Sequence, residues 1–160
     1  MSGRVFISGL LLFAAIFGAA MWWFQTRGHY VEVDGIEVVE IAGSPVAVRA
    51  YKGVDADTSP LKLRGCFILV GEFAAPIAEN PTPLIAPDWF ECFDAGELDA
   101  DLKSGAARPL LAETNKPFGF DRIVAVYADG RAFQWRQINA CGTAHFNGDD
   151  LPANCPEPNE

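Results

Sequence analysis

The chain has no Cys-x-x-Cys pair, no glycine-rich phosphate loop and no Gly-x-Ser-x-Gly elbow. The first absence argues against thiol–disulfide exchange, which prefers a paired thiol with a stabilised thiolate. Cys-x-x-Cys-His is missing too, and with it the haem-attachment signature. The others leave no nucleotide-binding or α/β-hydrolase signature. Histidine is scarce: only His29 and His145, far apart in sequence. A zinc site needs several Cys or His at ligand spacing, so no metal and no cofactor is expected. Internal repeats and low-complexity blocks are also lacking. Basic residues number 12 against 21 acidic ones. All the acidic residues but only 10 of the basic ones follow Arg27, so the chain beyond it carries a formal charge of −11. Such a surface disfavours nucleic acid and anionic lipid, and attracts cations or a basic partner in a salt-dependent way.

Charge is wholly missing from Val5–Phe24, VFISGLLLFAAIFGAAMWWF. Its residues, at about 1.5 Å each, reach roughly 30 Å, the hydrocarbon thickness of a bilayer. Trp22 and Trp23, then Gln25 and Arg27, close it as expected where a helix meets headgroups. A cleaved signal peptide is the competing expectation, but its apolar core runs to only about 7–15 residues. Gly18 and Ala20 could fill the small positions before a cut, yet Met21-Trp22-Trp23-Phe24 follows them and suits an interface belt better. The expected organisation is a cytoplasmic N-terminus over 1–4, a transmembrane helix over 5–24 and a juncture over 25–29. An outer domain over 30–150 and an irregular tail over 151–160 complete it. Arg4 and Arg27 give little positive-inside bias. Cys66, Cys92, Cys141 and Cys155 all follow the anchor, and an even number without metal spacing suggests disulfides in an oxidising compartment. The expected location is the inner membrane, N-terminus cytoplasmic and domain periplasmic. Ala14-x-x-x-Gly18 and Ala15-x-x-x-Ala19 place small residues on one helix face, where another membrane helix can approach.

The outer domain is long enough for one core. Asp34-Gly35 between β-favouring runs predicts a hairpin of 30–34 with 36–41. Ser44-Pro45 predicts a break, Val46–Tyr51 a strand, and Leu61–Val70 a strand entering the core. Four prolines (76, 81, 83, 87) make 74–87 an extended loop. Asp94 with Glu97 predicts a capped helix over Ala95–Ser104, ended by Gly105. Pro109-Leu110-Leu111 reads as a brief strand. Asp129-Gly130 predicts a second hairpin of 122–127 with 131–138, with apolar residues on both faces of its first strand. The fold class is α+β: a small, mostly antiparallel sheet with one short helix, behind one transmembrane helix.

Four cysteines allow three pairings, and proximity favours Cys66–Cys92 and Cys141–Cys155. The second ring contributes about 3 kcal/mol by chain entropy. Trp89, Phe90 and Phe93 surround Cys92, mostly as core; an exposed part backed by Asp88 and Glu91 would be a docking surface. His145 with Asp149 and Asp150 reads as a solvated turn before a cation site. Asp55-Ala56-Asp57-Thr58 lacks the buried strand that a phosphotransferase aspartate pair follows.

The single membrane helix, APDWFECFDA at 86–95, FGFDRIVAVYADGRAFQW at 118–135 and the late cysteine pair together resemble an uncharacterised family of short proteobacterial membrane-anchored proteins. The resemblance implies structural motifs and no catalytic signature. The expected function is therefore not enzymatic. It is an accessory, assembly or stabilising subunit of a larger membrane complex, with an electron-transfer complex and its basic cytochrome as favoured partners. The alternative is a stand-alone periplasmic module binding a small ligand or cation.

Overall fold

In a computed structural model, which describes residues 3–71 and 73–158, the chain divides into two units that part between Tyr30 and Val31. The first is built on α1 (Gly3–Trp23), none of whose described side chains is buried. From Gly3 to Gly28 the segment is long and apolar enough to cross a membrane, with a mean hydropathy of 2.2 over an 18-residue stretch within it. A π-helical turn, Phe24–Gly28, ends it, and the Thr26 hydroxyl donates to the Trp22 carbonyl at 2.7 Å.

The second unit is a seven-stranded antiparallel sheet with two short helices, so the expected α+β class holds. Its strands are β1 (Val31–Asp34), β2 (Val38–Ile41), β3 (Ser44–Asp55), β4 (Arg64–Val70), β5 (Ala107–Glu113), β6 (Phe120–Tyr127) and β7 (Arg131–Ile138). Their spatial order is β1-β3-β4-β7-β6-β5, with β2 also on β3. The β6–β7 hairpin forms as predicted, with Gly130 at φ +88°.

The first hairpin does not. β1 and β2 never pair with each other; both lie antiparallel on β3, Asp34 opposite Lys52 and Val38 opposite Ala47. β3 is 12 residues long and has room along one edge for both. The true turn is Ala42-Gly43, both residues at positive φ (52° and 76°), which gives a two-residue hairpin the twist it needs. Alanine seldom adopts that conformation, so Gly43 was the turn's one sequence signal. Ser44-Pro45 is not a break either: Pro45 pairs with Glu40 inside β3. β4 starts at Arg64, because Ser59 caps a 3-10 turn over Pro60–Lys62. β5 is longer than expected, and Pro109 is tolerated there because β5 lies at the end of the strand order.

Both faces of the sheet are covered, and β6 shows it: Ile123 and Ala125 are buried on one side, Val124 on the other. One face carries Val39, Ile41, Val48, Tyr51, Phe67 and Val124. A bulge between Arg49 and Lys52, with Ala50 at φ 53°, gives β3 an extra residue and turns Tyr51 inward. There its hydroxyl accepts from Gln134 Nε2 at 2.7 Å, and burial pushes its pKa up. Gln134 in turn accepts from Arg122 Nη1 (3.1 Å). Arg122 pairs with Glu113 through Nε (3.1 Å) and donates to the Glu40 carbonyl through Nη2 (2.8 Å). The sheet curls enough for Ala42 N–H to reach the Ala112 carbonyl at 2.9 Å, joining the β2 corner to β5.

The opposite face carries Trp135, Ile123 and Cys66 beneath α2 and the proline-rich loop. Helix α2 (Ala95–Ser104) has the predicted bounds, since Asp94 accepts from Gly96 and Glu97 N–H and Gly105 takes the left-handed cap. Leu98 is buried against the sheet, and the Tyr127 hydroxyl donates to Asp101 at 2.6 Å. Burial first, then Asp101, raises the Tyr127 pKa. A helix without a sequence-based expectation, α3 (Ala140–Asn147), follows β7 and is capped by Asn139 and Gly148. It rests backbone to backbone on the 115–119 turn. A Cβ on Gly142 falls 2.8 Å from the Gly119 Cα and closer still to its carbonyl oxygen. Gly142→Ala should therefore lower the unfolding free energy by about 1–3 kcal/mol, read as a denaturation midpoint. An unchanged midpoint would show that α3 can lift away freely.

Candidate functional site

The proline-rich loop is held in place by three attachments. At its start, Ile77 bridges Leu110, with Ala78 N–H donating to the Pro109 carbonyl and Leu111 N–H to that of Pro76. In the middle, Gln137 on β7 accepts from Thr82 N–H (2.8 Å) and donates to the Asn80 carbonyl (3.1 Å). Beyond that, the buried Arg64 guanidinium donates to the carbonyls of Leu84 and Ile85 as well as to those of Leu61 and Leu63. Cys66–Cys92 then closes the loop onto β4, with Sγ–Sγ 2.16 Å.

Between this loop, the ends of β6 and β7, and α3 lies a cleft of about 740 Å³. Its volume is within the range of small-ligand sites, about 300–1,000 Å³. Leu111, Ile123 and Ala78 form apolar wall, and Ile77 and Ile138 extend it to the exposed edge. The polar side is a knot drawn from three segments. Asn139 Nδ2 donates to Asp121 Oδ1 (2.6 Å) and to Asn115 Oδ1 (2.9 Å), while Asn115 N–H donates to Asp121 Oδ1 (3.1 Å). Asn139 Oδ1 meanwhile accepts from Gly142 N–H and so fixes the start of α3. Cys141, bonded to Cys155 at 2.06 Å, lines the same corner with Thr143 and Asn154. Among the described residues Glu79 and Asp121 are the only ionisable side chains in the lining besides the bonded Cys141, and no Lys, Arg or His joins them.

The residues singled out in the sequence are dispersed. Both cysteine pairs are those that proximity favours, and no cysteine is free. Phe93 is core, edge-on to Phe133 and Trp135 at 6.2 and 6.5 Å. Trp89 and Phe90 are half-buried, and Asp88 and Glu91 are exposed. Ala14 and Gly18 lie exposed on α1. Asp55 ends β3 in an ion pair with Arg136 at 3.2 Å. His145 sits edge-on to Phe118 and Phe146 at 5.4 and 5.3 Å, and among the described residues no group of three His, Cys, Asp or Glu could hold a metal ion. The cleft residues Asn115, Asp121 and Asn139 carried no signal beyond the Asn139 cap, because they meet only in the folded chain.

No curated protein and no solved structure matches the chain. Residues 33–156, which include both disulfides and every residue of the cleft, match the family of unknown function DUF6446, and the chain belongs to that family.

Proposed function

We propose that the protein is a single-pass inner-membrane subunit, N-terminus cytoplasmic, whose β domain works in the periplasm as an accessory or stabilising part of a larger membrane complex. One observation carries this reading. A helix with no buried side chain is joined to a domain in which all four cysteines are bonded. An uncovered apolar helix calls for lipid or another helix around it, and disulfides persist in oxidising compartments. The formal charge of −11 beyond Arg27 suits a basic partner, with a cytochrome of an electron-transfer complex as the favoured case.

The test is purification of the tagged full-length protein from its own membranes in mild detergent. A membrane complex should co-purify in fixed stoichiometry, and raising salt should weaken cytochrome binding only in complexes that contain this subunit. Equal salt dependence with and without it removes the cytochrome part. A clean monomer removes the subunit reading. The cleft of about 740 Å³ favours a second reading, a stand-alone module for a small ligand. Saturable ligand-induced stabilisation of a partnerless protein would support it.

A further inference from the structure

We infer that the cleft beside Cys141–Cys155 is a receptor for a short basic, amphipathic peptide segment in extended form. The inference deepens the subunit reading and rests on it for the source of the segment, a terminus or loop of the partner.

Charge narrows the ligand first. Among the described residues the lining holds two carboxylates and no cation, within a domain of strongly negative net charge, so an anion finds no counter-charge there. Asp121 spends only Oδ1 on the asparagine knot; among the described residues its Oδ2 accepts no hydrogen bond. Glu79 is exposed on the other wall and is in none of the ion pairs among the described residues. A lysine or arginine on the ligand has a place to go on either side.

The neutral groups narrow it further. The knot uses up the Asn139 amide and the Asn115 oxygen. The Thr82 and Thr143 hydroxyls donate to backbone carbonyls but can still accept. Among the described residues the Asn80 and Asn154 side-chain amides make no hydrogen bond and can both donate and accept. A peptide backbone, with alternating N–H and C=O, matches that mixture better than a group of one polarity. Ile77 and Ile138, both more than two-fifths exposed, offer aliphatic contact for a side chain between the polar ones. Among the described residues no aromatic side chain lines the cleft, so a flat ring has no platform on which to stack. The site is also preformed. Gln137 and Arg64 pin the loop wall, while the Asn139 cap and the second disulfide pin the other, which limits the ordering cost of binding.

The experiment uses full-length protein in nanodiscs of zwitterionic lipid and two fluorescein-labelled peptides, Lys-Leu-Thr-Leu-Lys and Glu-Leu-Thr-Leu-Glu, read by anisotropy. The basic peptide should bind saturably and about tenfold tighter than its acidic twin, a ratio equal to ~1.4 kcal/mol. Thr143→Trp, at an exposed position on α3, should fill the cleft and abolish binding; Ile138→Arg, at its exposed edge, should do the same by charge. Glu79→Lys should weaken the basic peptide about tenfold, since it replaces an attraction with a repulsion. Three results overturn the inference: no saturable binding, equal binding of both peptides, or binding that survives Thr143→Trp and Ile138→Arg as general attraction to an acidic surface. Co-purification separates the two ideas. A host complex retained by the wild type that shows no peptide binding sinks the receptor and leaves the subunit standing. Peptide binding without any host does the reverse.

Discussion

Trp135→Ala is expected to destabilise the β domain by about 3–5 kcal/mol, a large part of the ~5–15 kcal/mol that holds a typical domain together. Trp135 has no exposed surface and stands at the centre of the core beneath α2 and the proline-rich loop. Truncation leaves a void bounded by Phe93, Cys66 and Ile123; Cys66 and Ile123 sit in strands, and Phe93 follows the disulfide-bonded Cys92, so all three are poorly placed to collapse into it. The indole also donates to Gln137 Oε1 at 3.1 Å, the same oxygen that receives Thr82 N–H. Loss of the ring therefore also unsettles the pin that holds the loop over the cleft. Trp135→Phe should recover part of the stability and none of that hydrogen bond. Denaturation of the full-length protein in detergent, followed by near-UV circular dichroism, measures both. A midpoint for Trp135→Ala close to the wild type would mean that this core is far more compliant than its packing implies.

Arg122→Ala is the second large effect, about 3 kcal/mol. Its guanidinium, with only 9% of the side chain exposed, serves three acceptors at once: Glu113, the Gln134 side chain and the Glu40 carbonyl. Removal strands a half-buried carboxylate and an amide oxygen, and stranded groups lose more than the bond itself was worth. Arg122→Lys keeps the charge but not the fork, and should fall between wild type and alanine. The pairing with Glu113 gives a sharper check. In a double-mutant cycle, Glu113→Gln should destabilise the wild type and have a much smaller effect in the Arg122→Ala background. Simple additivity would show that the two side chains do not act together.

Legibility from sequence followed the range of the interactions. Helix α2 was readable to the residue because Asp94, Glu97 and Gly105 are local signals that the backbone itself obeys. The β6–β7 hairpin was readable for the same reason. The β1–β2 arrangement was not, because Gly35 does take a positive φ (+66°), but the irregular link over 35–37 carries the chain along β3 instead of folding it back. Helix α3 was missed because it packs through Cys141 and Gly142 and leaves no apolar stripe to count. A cap at Asn139 and a glycine at 148 were its only marks. The cleft was illegible in principle: Asn115, Asp121 and Asn139 are ordinary residues until the 115–119 turn, β6 and α3 come together.

The curl that brings Ala42 to Ala112 has a bearing on how copies of this protein coexist. A chain held at a membrane meets its own copies far more often than one in solution, and open strand edges invite them to zip together. Here the β5 edge is taken by the loop at Ile77 and by Ala42, and β2 leans on that same seam. At the other end of the strand order β1 is four residues long and bears the exposed carboxylates of Glu32 and Asp34. Two such edges repel each other before they can pair. Under the proposed membrane anchoring, crowding on a bilayer then leaves this edge unpaired.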